Sequence, residues 1–73
     1  MTEQETMAKE LYKSSDFFIK YSAGRAIACY PYRAGTPYTK MGCESVCDTK
    51  IQAQDFLRNK AMEHAELIIA TNN

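Results

Sequence analysis

The stretch DTKIQAQDFLRNKAMEHAELIIA, residues 48–70, decides the fold. Asp48 or Thr49 can supply the side-chain oxygen that caps a helix N-terminus, and no Gly or Pro follows. Counted at about 100° per residue, one face of this helix is apolar and includes a histidine: Ala53, Leu57, Ala61, His64, Ala65 and Ile68. Phe56 and Leu67 flank this face. A second apolar line lies on the other side: Ile51, Met62 and Ile69. We therefore expect the helix to be covered on two sides.

Length and composition indicate one small globular domain. The chain has 73 residues, of which 45% are hydrophobic, and this length is near the lower limit for a self-sufficient core. So short a chain leaves little room for both a scaffold and a deep substrate cleft. We therefore expect a non-enzymatic binding module. Oligomerisation is one usual remedy for a small core, and the line Ile51, Met62 and Ile69 is the predicted surface of a homodimer.

The sequence predicts a cytoplasmic protein that does not enter a membrane. No apolar run approaches the length of about 18 residues that a membrane span needs. The N-terminal segment MTEQETMAKELY is acidic and amphipathic, and it has no signal-peptide pattern. Three cysteines are an odd number and do not form a disulfide framework, which is typical of a reducing compartment.

The N-terminal third of the chain predicts one helix and one strand. Residues 2–13 read as a helix capped by Thr2. Residues 14–24 are ambiguous, because Ser15 can cap a second helix that ends at Gly24, whereas the alternation in FFIKYS is typical of a strand. Aromatic and β-branched residues favour the strand. The pair Ala23-Gly24 also favours it, since it can form a tight turn into a second strand over residues 26–32.

A two-residue turn at Ala23-Gly24 fixes the pairing of this hairpin. It would pair three residues with three others on the face toward the long helix: Tyr21 with Ala26, Ile19 with Ala28, and Phe17 with Tyr30. The opposite face would carry Phe18, Lys20, Arg25, Ile27 and Cys29. Pro31 indicates that the second strand is at an edge or ends there. Residues 33–37 read as a loop, and Tyr38–Cys43 as a short third strand.

These elements predict an α+β fold with an N-terminal helix, a small antiparallel sheet of two or three strands, and a long C-terminal helix packed on it. The alternative is an all-α helical hairpin with an irregular basic middle. The block TKIQAQDFLR, residues 49–58, resembles the sheet-to-helix junction of the three-stranded arm-type DNA-binding domains of phage integrases. The order helix, three strands, helix is similar to that of double-stranded-RNA-binding domains. Both resemblances imply a topology and no contact residues.

Charge is unevenly distributed along a chain whose net charge is zero. The segment from Phe17 to Cys43 contains no Asp or Glu, and it is rich in tyrosine. Cations can neutralise phosphates and aromatic rings can stack on bases, so this segment supplies the candidate contact residues. They are Lys20, Arg25, Tyr32, Arg33, Tyr38 and Lys40. The plain structural interpretation is a tyrosine-rich core surrounded by solvated cations.

Two functions fit these candidates. The first is a small regulatory module that binds nucleic acid through the basic, tyrosine-rich segment. The second is a protein-binding inhibitor or adaptor, of the kind that phages and plasmids often encode, which uses the same exposed aromatic and arginine side chains. Binding to phosphates must weaken steeply with salt, whereas an interface centred on aromatic residues need not.

The cysteines and the histidine raise the question of a metal site. Cys29, Cys43, Cys47 and His64 would make a Cys3His set of zinc ligands. The C-x3-C spacing is not followed by a paired ligand group as in a zinc finger, and His64 lies among apolar helix positions. We therefore expect reduced thiols, a histidine at the edge of the core, and no zinc or other cofactor. A catalytic Cys/His pair is not expected either, because no orienting group accompanies it.

Overall fold

A three-stranded antiparallel sheet packs against a long C-terminal helix in the computed structural model, which describes residues 2–33 and 41–72. The elements in chain order are α1 (Glu3–Lys13), β1 (Phe18–Ser22), β2 (Arg25–Pro31), β3 (Gly42–Cys47) and α2 (Lys50–Asn72). The strands lie side by side in the order β1-β2-β3. The predicted α+β fold is confirmed, and the all-α alternative is wrong. Neither helix in the described ranges combines the length and the apolar character that crossing a membrane requires.

Side-chain oxygens cap the first turn of both helices. The hydroxyl of Thr2 accepts a hydrogen bond from the backbone N–H of Glu5 at 3.1 Å. At the start of α2, the hydroxyl of Thr49 accepts from the N–H of Gln52 at 3.2 Å, and the Gln52 side chain accepts from the N–H of Asp48 at 3.0 Å. These bonds satisfy backbone donors that have no partner within the helix. The predicted cap of α1 is confirmed, and Thr49 is the cap of α2.

The core lies mainly between α2 and the inner face of the sheet, and small residues dominate it. Its buried members are Ala8, Phe17, Ala26, Ala28, Ala53, Leu57, Ala61 and Ala65. The predicted apolar face of α2 is therefore confirmed, and His64 lies within it with 7% of its surface exposed. The many alanines let the helix approach the sheet closely, and Leu57 and Phe17 are the two large side chains in this set.

One member of the second apolar line of α2, Met62, lies beside α1. Met62 packs against the core, and its carbonyl accepts a hydrogen bond from the side-chain amide of Gln4 at 3.2 Å. Ile51 points to solvent with 69% of its surface exposed. The sequence predicts that α2 is covered on two sides, and α1 covers the second side. Met62 is thus partly covered within the chain, and a homodimer through this line stays a prediction.

The β1–β2 hairpin has the predicted register. Tyr21 pairs with Ala26 and Ile19 with Ala28 around the two-residue turn. The ladder begins at Phe18, so the predicted pairing of Phe17 with Tyr30 is not part of it. Phe17 instead lies just before the strand and inserts into the core. The alternative of a second helix over residues 14–24 is wrong.

The third strand overlaps the predicted range Tyr38–Cys43 at Gly42 and Cys43 and continues to Cys47. Residues 38–40 of the predicted range lie outside the described ranges. The sequence indicated that β2 lies at an edge or ends at Pro31: the end at Pro31 is confirmed, and the edge position is wrong because β2 is the central strand. Its missing N–H costs nothing at the last ladder position, opposite Gly42.

The hairpin turn stores strain that one substitution can remove. Both central residues have positive φ, 53° at Ala23 and 76° at Gly24, as a type I′ turn requires. An alanine in this region is disfavoured, whereas asparagine tolerates it. We expect Ala23→Asn to raise the free energy of unfolding by about 0.5–1 kcal/mol in urea denaturation. Ala23→Val, which adds a β-branched side chain at the same φ, should lower it. Equal stability of the two variants would contradict this account of the turn.

Candidate functional site on the outer face of the sheet

One face of the sheet points away from α2. Side chains alternate along each strand, and Ala26 and Ala28 point toward α2, so the residues between them point the other way. We call this surface the outer face. Its members are Phe18, Lys20 and Ser22 of β1, Arg25, Ile27, Cys29 and Pro31 of β2, and Gly42, Glu44 and Val46 of β3. This assignment confirms the predicted outer side of the hairpin and adds the residues of β3.

An ion pair crosses the outer face from one edge strand to the other. The ammonium group of Lys20 on β1 contacts the carboxylate of Glu44 on β3, and about half of each side chain is exposed. The hydrogen bond to Glu44 raises the pKa of Lys20. The same bond lowers the pKa of Glu44. Both groups are therefore charged at neutral pH, and Lys20 is largely neutralised as a binding cation.

Cys29 lies beneath this ion pair. Its thiol is 3.9 Å from the carboxylate of Glu44, and only 5% of the residue is exposed although it belongs to the outer face. Burial raises the pKa of Cys29, the charge of Glu44 raises it further, and the charge of Lys20 opposes both. The thiol is therefore protonated at neutral pH and is a poor nucleophile.

Exposed apolar side chains occupy the other diagonal of the outer face. Phe18 on β1 exposes 51% of its surface and Val46 on β3 exposes 59%. Ile27, which pairs with both Lys20 and Val46 across the sheet, is half-buried between them. The outer face thus presents an aromatic and an aliphatic side chain on either side of a central ion pair.

The structure places Lys20 and Arg25 on the outer face but separates Arg33 from them. Arg25 begins β2 at the hairpin turn, and Arg33 follows the other end of this strand. The two ends of β2 are roughly 20 Å apart, at about 3.3 Å per residue. The guanidinium of Arg33 lies 5.9 Å from the centre of the Tyr32 ring, within the range of a cation–π contact. Tyr38 and Lys40 lie outside the described ranges. Lys20, Arg25 and Arg33 therefore do not form one basic surface.

The cysteines do not converge on a metal site. Cys29 points to the outer face, whereas Cys43 and Cys47 point to the opposite side of the sheet. Three residues separate Cys43 from Cys47, so in an extended strand their Cα atoms lie four steps apart, a span of roughly 13 Å. Among the described residues, no group of three or more potential ligands is close enough to hold a metal ion. The absence of zinc in the purified protein stays a prediction.

Glu44 and Val46 are the charged and the exposed apolar members of the outer face that sequence reasoning missed. Their positions follow from the alternation in CESVC, residues 43–47, but polar residues occur on both sides of this strand and weaken the signal. Comparisons of the chain with protein-family models, curated proteins and solved structures return no match.

Proposed function

We propose that this chain is a small protein-binding module and that the outer face of its sheet is the contact surface. The observation that carries the proposal is the exposure of Phe18 and Val46 on the face that α2 leaves open. Aromatic and aliphatic side chains surrounded by polar groups are the usual composition of the centre of a protein interface. This is the second of the two functions that the sequence suggested.

The charge of the outer face favours a protein partner over a polyanion. Lys20 and Glu44 cancel, so Arg25 supplies the remaining charge of this face. One net positive charge gives little electrostatic attraction to a phosphate backbone. An apolar surface with one intramolecular ion pair can instead be covered by a complementary protein surface, in which burial of Phe18 and Val46 supplies most of the affinity.

The test is affinity capture with the intact chain from a nuclease-treated lysate of its own source, read by quantitative mass spectrometry. We expect a specific partner that Phe18→Ser with Val46→Ser loses at least about tenfold, the ratio that 1.4 kcal/mol of lost binding energy gives. Leu67→Ser is the matched control, because Leu67 is similarly exposed (52%) but lies on α2. Capture by the double variant equal to that by the control would overturn the assignment of this surface.

Nucleic-acid binding is a second candidate, favoured by the contact between Arg33 and the exposed Tyr32 ring. A cation beside an aromatic plane can contact a phosphate while the ring stacks on a base.

We expect Arg33→Glu with Lys40→Glu to abolish any such binding while the circular dichroism melt stays nearly unchanged. Lys9→Glu with Lys13→Glu makes the same change in net charge on α1 and should bind normally. Affinity of the unmutated protein should fall about tenfold or more between about 50 and 200 mM salt. No binding to DNA or RNA at the lower salt concentration would remove this candidate.

A further inference from the structure

Along one edge of the sheet, β3 directs backbone groups away from its neighbouring strand. The N–H of Tyr32 donates to the carbonyl of Met41 at 2.7 Å, and the two residues continue the β2–β3 register. In an antiparallel pair such hydrogen-bonded positions alternate, so the odd-numbered residues of β3 direct their backbone groups toward β2. Gly42, Glu44 and Val46 consequently direct theirs away from the sheet. No described strand pairs with this edge.

Within its described residues, β3 has no bulge, proline or lysine, three features that usually prevent strand addition. Its pairing with β2 runs without a bulge from Gly42 to Cys47, and the strand contains no proline. Glu44 is its one charged residue, and the contact with Lys20 draws that carboxylate inward across the sheet. Within the part of the chain that the structure describes, the outward backbone groups of β3 can therefore pair with another strand.

We propose that β3 of one chain pairs antiparallel with β3 of a second copy, so that two sheets join into one. The outward backbone groups belong to even-numbered residues, and a two-fold axis therefore allows two registers with nearly complete overlap. One of them sets Glu44 directly opposite Glu44 of the second copy, which is destabilised by like charges. The other sets Glu44 opposite Val46 of the second copy and forms about four backbone hydrogen bonds at the centre. The second register is the one we infer.

In this register the two half-buried cysteines of β3 face each other between the two copies. Ser45 lies on the two-fold axis, and Cys43 faces Cys47 of the second copy at positions that are not hydrogen-bonded. Cα atoms at such positions are about 4.5 Å apart, within the range that a disulfide spans. Within one chain the same two cysteines are roughly 13 Å apart and cannot be joined. The C-x3-C spacing thus places two equivalent contacts between the copies, each joining Cys43 of one chain to Cys47 of the other.

The pairing goes beyond the proposed function and does not depend on it. A single strand pair buries less area than a standard interface, so the dimer should be weak and concentration-dependent. The outer faces of the two copies remain open and become continuous across the joint, with Val46 of each copy near the centre. A chain that dimerises and binds no partner would refute only the proposed function, and the reverse result would refute only this pairing.

The experiment is mild oxidation of the full chain with diamide at several protein concentrations, followed by non-reducing electrophoresis. Each disulfide forms as two thiols lose two protons and two electrons, which diamide accepts to become the hydrazine. We expect the unmutated protein to give a covalent dimer. Cys43→Ser alone and Cys47→Ser alone should remain largely monomeric, because each lacks one member of the facing pair.

An equimolar mixture of these two variants supplies the decisive measurement. One chain then carries Cys47 and the other Cys43, so the mixture should form a covalent heterodimer although neither variant dimerises alone. Cys29 is present in every sample, so cross-linking through Cys29 would occur in the single variants as well as in the mixture. Circular dichroism melts check that both variants are folded. A monomer after oxidation of the unmutated protein, or single variants that cross-link as well as the mixture, would overturn the proposed pairing.

Discussion

Leu57→Ala is expected to lower the free energy of unfolding by about 2–4 kcal/mol. Leu57 is 2% exposed and lies at the centre of the α2 face that packs on the sheet. The other buried residues of the core are mostly alanines, which have no long side chains that could move into the space left behind. The variant therefore loses the burial of the leucine and also keeps a cavity, and both terms destabilise the fold. Urea denaturation with an unchanged slope would measure the difference directly.

Glu63→Ala is the matched control on the same helix. Glu63 is exposed, and its carboxylate lies 3.1 Å from the ammonium of Lys60 in a surface ion pair. Such pairs contribute between zero and about 1 kcal/mol, so we expect a loss well below that of Leu57→Ala. If the two variants had equal stability, the assignment of the buried face of α2 would be wrong.

The elements with a strong local signal could be predicted from the sequence. The face of α2 follows from apolar residues at helical spacing, and the β1–β2 register follows from the turn at Ala23-Gly24. The role of Met62 could not be derived in this way. An apolar line on a helix shows that it is covered, but it does not distinguish cover by α1 from cover by a second copy.

The candidate site was predicted less well, because residues far apart in sequence meet on the sheet. The acid-free segment ends at Cys43, and the next residue is Glu44. Folding of β3 beside β2 places this carboxylate against Lys20, so the segment that lacks acids in sequence does not lack one in space. Charge patterning along the chain cannot reveal such a pair until the strand order and register are known. The composition of the outer face therefore depends on that register.

His64 should make the protein less stable as the solution becomes acidic. It is the one histidine of the chain, and its ring packs edge-on against Phe17 with centroids 5.6 Å apart. Burial lowers the pKa of His64, the nearby charge of Lys60 lowers it further, and the charge of Glu63 opposes both. Above a pH of about 6.5 the imidazole is neutral in both the folded and unfolded chains and contributes no pH dependence. Below that value the unfolded chain binds a proton that the folded chain does not bind until its own, lower pKa is reached.

The free energy of unfolding should therefore fall as the pH drops below about 6.5, by at most about 1.4 kcal/mol per pH unit, and level off below the folded-state pKa. His64→Gln keeps a polar side chain but cannot titrate in this range. Carboxylates contribute equally to both proteins, so the difference between their pH profiles, measured by urea denaturation, isolates the histidine. Titration of the single imidazole by NMR should give a folded-state pKa below the ordinary value. Parallel profiles for the two proteins between about pH 5 and 6.5 would show that His64 is not buried as a neutral ring.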